Sequence, residues 1–212
     1  MKRYLLLFLF VCFIAFPCGA ANEVLTKVDT PQFVFADHGT DYIGGTGNNS
    51  LEIAGSTDVQ IDVTSLGAGA ARQSAKIDLG SVRNASFAVM MSLEMATDPV
   101  AGERVDIYWS PSVDSSAAVA NAGGCSGADA AYAGYAASTL AEGLTGLTFI
   151  GSMILAVMND ADGVPQLEFI AVFAPQDRYG SLVVVNGSVA DLFHDDAVEF
   201  AVSFNPIVQE IQ

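Results

Sequence analysis

APQDRYGSLVVVNGSVADLFHDDAVEFAVSFNPIVQEIQ, residues 174–212, decides the fold. Two runs in it alternate with period two. In 181–185, Leu182 and Val184 share one face. Further on, Val198, Phe200, Val202 and Phe204 face one way, and Ala197, Glu199, Ala201 and Ser203 face the other. This pattern predicts strands with one face in a core and the other against solvent or a neighbour. Asn186, Gly187 and Ser188 separate the two runs as a loop. Pro206 has no N–H to give a ladder, so it is expected to end the last strand and leave a short tail, 207–212. The stretch holds no recognisable catalytic arrangement; it reads as packing and contact.

Outward from it, more strands follow at short intervals. Phe33 to Phe35 is a short extended piece. Residues 58–63 place Val59, Ile61 and Val63 inward, and 66–71 is a loop before a strand over 75–79. Residues 86–95 carry Phe87, Val89, Met91, Leu93 and Met95 on one face. After a turn at Asp98-Pro99 and Ala101-Gly102, Val105, Ile107 and Trp109 share a face, and Pro111 is expected to close that strand. The apolar run 147–158 reads as a strand bulged at Gly151, and 166–173 as its return, with Leu167, Phe169 and Phe173 on one face. About eight strands spaced by Gly/Pro turns predict an all-β fold: an antiparallel, jelly-roll-like sandwich in one domain, 22–212. No repeat of solenoid length is present.

Residues 110–146 interrupt the pattern with a long Ala/Gly/Ser segment. Ala128 to Ser138 is expected to form a helical turn or two, with Tyr132 and Tyr135 on one side. Two readings stand. The segment is either an inter-subunit contact loop or a loop folded over a sheet edge with both tyrosines as local anchors. Rich in small residues and poor in charge, the segment is expected to add little to a sandwich core and to be dispensable for folding.

Composition narrows the function classes. The chain has 212 residues, 51% hydrophobic and 15% charged, so it is no disordered polyelectrolyte. Its net charge of −16, with only 8 Lys and Arg, excludes a phosphate backbone as main ligand, so no nucleic-acid partner is expected. Residues 1–21, MKRYLLLFLFVCFIAFPCGAA, have the three-part layout of a signal peptide; alternatively the natural start lies downstream near Asn22. The apolar run is too short for a comfortable membrane span, so no stable membrane anchor is expected. Cys12 and Cys18 lie in this leader, so a chain without it keeps only Cys125 and forms no internal disulfide.

Candidate chemical motifs do not assemble. Gly44-Gly45-Thr46-Gly47 does not open a helix after a strand, so it is no phosphate loop. Asp160-Ala161-Asp162-Gly163 would need acids at Met158 and Phe169 to be a calcium loop; a hairpin turn fits better. Asp37-His38 and His194-Asp195-Asp196 lack metal-ligand spacing. Gly124-Cys125-Ser126-Gly127 is not the nucleophile elbow. No catalytic residue, metal or cofactor is assigned, and no enzymatic activity is expected.

Three stretches carry a resemblance: FAPQDRYGSLVVVN (173–186), HDDAVEFAVSFNPIVQEIQ (194–212) and ANAGGCSGADAAYAGY (120–135). The chain from Asn22 to Gln212 resembles small virion structural proteins of tailed bacteriophages. The resemblance implies a capsid-decorating, head- or tail-associated component, assembled in the host cytoplasm. Its partners would be other virion proteins and copies of itself, as a homo-oligomer. Candidate subunit contacts are Tyr132, Tyr135, Ile207, Val208 and Ile211. The alternative is a secreted or periplasmic β-sandwich that binds carbohydrate or a cell surface, with Trp109 and exposed tyrosines as its platform.

Overall fold

Alternating residues become paired strands in the computed structural model, which describes residues 31–39, 42, 51–80, 86–157, 165–194 and 200–207. All of these fall in one unit, Lys27–Val208. The leader, the Asp160–Gly163 turn, Asp195, Asp196, Glu199, Val208 and Ile211 lie outside the described residues.

Eleven strands occur among the described residues: β1 (Phe33–Ala36), β2 (Thr57–Gln60), β3 (Ala71–Gln73), β4 (Ile77–Asp78), β5 (Ser86–Leu93), β6 (Arg104–Ser112), β7 (Ala130–Ala131), β8 (Thr148–Ile154), β9 (Gln166–Phe173), β10 (Tyr179–Asn186) and β11 (Ala201–Ile207). They form two sheets, in the orders β2-β1-β11-β5-β9 and β7-β3-β10-β6-β8, with β4 also paired to β10. The β1–β2 pair is parallel, and the other pairs are antiparallel. Three strands, β2, β4 and β7, are short additions at or beside the edges. The other eight run as first, eighth, third and sixth in one sheet and second, seventh, fourth and fifth in the other. That order is a jelly roll, so the expected sandwich is the fold, but its strands are not the expected eight: β3 (Ala71–Gln73), which no expected strand covers, is one of them, and the strands expected at 58–63 and 75–79 are the short additions β2 and β4.

The inward faces meet in one apolar layer. Val59, Ile61, Val63, Phe87, Val89, Met91, Leu93, Met95, Val105, Ile107, Trp109, Leu182, Val184, Phe200, Val202 and Phe204 all belong to it, as the alternation predicts. Phe204 stands at its centre, with ring centroids 5.0 Å from Phe35 and 5.8 Å from Phe87, Trp109 and Phe173. Where β3 and β4 part, Ser74 continues the ladder: its N–H donates to Leu182 O (2.8 Å) and its hydroxyl accepts from Leu182 N–H (2.9 Å).

Several expectations are corrected. Pro206 does not end the last strand; it lies inside β11, opposite Phe87. Pro111 likewise lies inside β6, opposite Gly180. Both sit where the strand has lost a neighbour: β1 stops opposite Phe204, and β8 stops opposite Trp109. A residue without an N–H is tolerated where one ladder is already missing. The outer face of β11 lies against a neighbour, one of the two settings expected for it: Ala201 packs with Val34, Ala36 and Tyr42, beside Leu51. Residues 128–138 hold no helix; Ala130–Ala131 pair with β3 instead, and an α-helix, α1 (Leu140–Leu144), begins after them.

The most consequential correction concerns β9. The β5 register passes from Val89↔Ala171 to Met90↔Phe169, leaving Ile170 as an extra residue. One inserted residue flips the alternation. Phe173 is therefore inward, while Leu167 and Phe169 point outward. Strand β8 carries a matching bulge, since Ile107↔Gly151 is followed by Tyr108↔Phe149 and Ile150 is extra. The sequence places this bulge within one residue of its position. Gly151 lies against Ile170, and a Cβ there would meet the Ile170 side chain, so the two edge strands close on each other at their bulges.

Candidate contact surfaces

Two surfaces are built on this frame, one on the outer side of each sheet. On the second sheet, Ala71, Val183 and Val185 face away from the main core. The segment 113–147 folds back over them and contributes Cys125, Tyr132, Leu140, Leu144 and Leu147 to a second apolar cluster. The sequence anchors this hood at several points. Tyr132 N–H donates to Ala71 O at 2.8 Å. Arg72 Nε pairs with Asp129 Oδ1 at 2.7 Å, and that contact raises the guanidinium pKa. The same carboxylate accepts from Asp62 N–H at 3.2 Å.

Lys76 is a further anchor. Its ammonium reaches Ser112 Oγ (2.9 Å) and the carbonyls of Asp114 (3.0 Å), Ser116 (2.7 Å) and Val119 (2.8 Å). One cation thus gathers the start of the hood onto the sheet. Gly127 has φ 71°, and a Cβ there would run into the Ala117 carbonyl, so the bend requires glycine. Helix α1 closes the hood with a capping box, in which the Thr139 side chain accepts from Glu142 N–H and Glu142 accepts from Thr139 N–H. The Thr139 N–H and the Thr139 hydroxyl both donate to the Glu142 carboxylate, and these two bonds hold it below its usual range.

The two tyrosines have different places here. Tyr132 is buried, and its hydroxyl donates to Gly123 O at 2.6 Å. Burial pushes its phenol pKa up. It anchors the hood from within and has no surface to offer a second subunit. The Tyr135 hydroxyl accepts from Gly123 N–H at 3.1 Å, while its ring is half exposed. The local-anchor reading therefore describes both, over a sheet face rather than an edge. Cys125 is buried too, and burial raises its thiol to about 11.

The second surface is the outer face of the first sheet along β9. Leu167, Phe169 and Val172 are 51–62% exposed there. Their register partners on β5 are Ser92, Met90 and Ala88. Ile207, a predicted contact, continues the same face beyond Asn205, the partner of Ala88, and is partly exposed. Glu168 is opposite buried Met91, on the other side of the strand. The strip formed by Ala88, Met90, Leu167, Phe169, Val172 and Ile207 therefore contains no charged side chain. On the far side of the same flank, Phe149 and Ile154 of β8 are also half exposed, with Phe149 against the Tyr108 ring at 5.2 Å.

Other flagged residues are separate from these surfaces. His38 Nε2 lies 2.9 Å from Val34 O, and Asp37 accepts from Gly39 N–H at 3.2 Å. Among the described residues, no group of three or more His, Cys, Asp or Glu side chains is placed to hold a metal. Trp109 is in the core between Phe173 and Phe204, not on a platform. No helix among the described residues is long and apolar enough to cross a membrane. Comparison with protein-family models, curated proteins and solved structures finds no match to the chain.

Proposed function

We propose that this chain is a structural component of a tailed-phage particle, a capsid-decorating, head- or tail-associated protein that acts through protein–protein contacts. The observation that carries the reading is the uncharged apolar strip along β9, displayed by a rigid two-sheet frame on a strongly acidic chain. Half-exposed side chains of that size grouped on one sheet face support an interaction surface. The three stretches at 120–135, 173–186 and 194–212 supply the particle context by resemblance. Jelly rolls recur in viral capsids and in lectins alike, so the fold favours the architecture and not a position in the particle.

Mass spectrometry of purified particles tests the reading. Peptides from 22–212 should appear at a stoichiometry that persists through density purification. Their absence from intact particles, with the protein present elsewhere in the culture, overturns it. The second reading, a secreted binding module, is favoured by the leader-like residues 1–21. It has Tyr135, not Trp109, to offer a ligand.

A further inference from the structure

We infer that the β9 strip is a homotypic interface, in which a second copy of this chain docks the same face across a two-fold axis. The inference rests on the contact role proposed above and names the partner and the surface.

Charge is the first argument. The chain carries a net −16, so two copies repel one another wherever acidic faces meet. The strip of Ala88, Met90, Leu167, Phe169, Val172 and Ile207 has no charge to repel a copy and none to pair with a basic partner. Burying it against a like strip leaves no unpaired ion behind.

Shape is the second. The row Met90–Phe169 is bulky and the neighbouring row Ala88–Val172 is small. A two-fold axis between the rows sets the ridge of each copy over the dip of the other. This is the self-complementarity an isologous contact needs, realised by packing two sheet faces. Strand-to-strand addition is not implied, because bulges at Ile170 and Ile150 break the free edges of β9 and β8.

Area is the third. Six side chains of this size and exposure bury on the order of 400 Å² per copy, about half of what a standard stable partner contributes. The contact is therefore weak for an isolated pair and suits an array in which it is repeated.

Sedimentation velocity of the full chain over roughly 10 to 1,000 µM, the range a contact of this size requires, tests the inference. The wild-type sedimentation coefficient should rise with concentration, and more steeply in higher salt, because salt screens the general repulsion. Val172→Asp should weaken association about tenfold or more. Because Val172 is exposed on an edge strand, the melting temperature should not change. Phe169→Ser serves as the second variant, should the aspartate disturb β9. A wild-type chain that stays monomeric throughout overturns the inference, and so does association that survives both substitutions or weakens as salt rises. A monomeric result leaves particle membership to the mass-spectrometric test, and absence from particles leaves the sedimentation result standing. The two failures are therefore distinguishable.

Discussion

At the scale of single residues, Cys125 sits in a Gly-rich loop with no Cys–His spacing to activate it, and thiol reactivity follows the thiolate fraction. Buried beneath the hood, its thiol rises from 9.0 to about 11, with burial the leading cause and a hydrogen bond to Ser110 opposing it. Peptide mapping should show Cys125 alkylated slowly in the native protein at pH 8 and quickly after unfolding; equal rates would remove it from the interior. The sign for stability follows from the raised value. The neutral thiol's contribution is complete below pH 9 and is lost as pH rises through 11, when the unfolded chain ionises first. Trp109 teaches the same lesson: sharing a face with Val105 and Ile107 made it a core residue.

At the scale of elements, period-two alternation made the long strands legible and left two features hidden. The inward sets of β5, β6 and β10 follow from the sequence alone, because each of these strands is flanked on both sides and one face is sealed. Strand β9 misleads because its bulge at Ile170 leaves no mark in composition: Leu167, Phe169 and Phe173 read as one face. The exposed strip was illegible for that reason, except for Ile207. The hood was illegible for another. Ala, Gly and Ser carry no periodic signal, and its order comes from partners far off in sequence, such as Lys76, Arg72 and Ala71. Its one local signal was the Thr139–Glu142 capping box. The hood seals Val183 and Val185, so the expectation that it is dispensable reverses. Tyr132→Ala should cost about 3 kcal/mol, as truncation of a buried ring does. In a domain of this size that lowers the melting temperature by roughly 6–12 °C. Tyr135→Ala should cost less than half as much. Equal losses measured by thermal unfolding would show that the hood does not distinguish an inner from an outer tyrosine.

At the scale of the molecule, charge balance was legible as a number and only the fold shows how it is distributed. The chain has 8 Lys and Arg against 24 Asp and Glu. Each of the four Lys and Arg among the described residues is engaged: Arg72 with Asp129, Arg104 with Asp106, Arg178 with Asp78, and Lys76 with the hood carbonyls. The excess acid is therefore not offset by spare cations on the described surface, and like charges press against the folded state. The Arg178–Asp78 pair is partly exposed on both sides, a geometry that contributes little to stability. Repulsion should thus outweigh attraction in the response to salt. Raising ionic strength from about 10 mM to about 150 mM shortens the screening length from roughly 30 Å to 8 Å. Thermal unfolding should then shift upward by a few degrees. The same screening lets copies approach at the β9 strip, so stability and self-association should rise together across the series. A melting temperature that falls with salt would mean that the ion pairs, not the net charge, govern the folded state, and the electrostatic case for an uncharged meeting face would lose its premise.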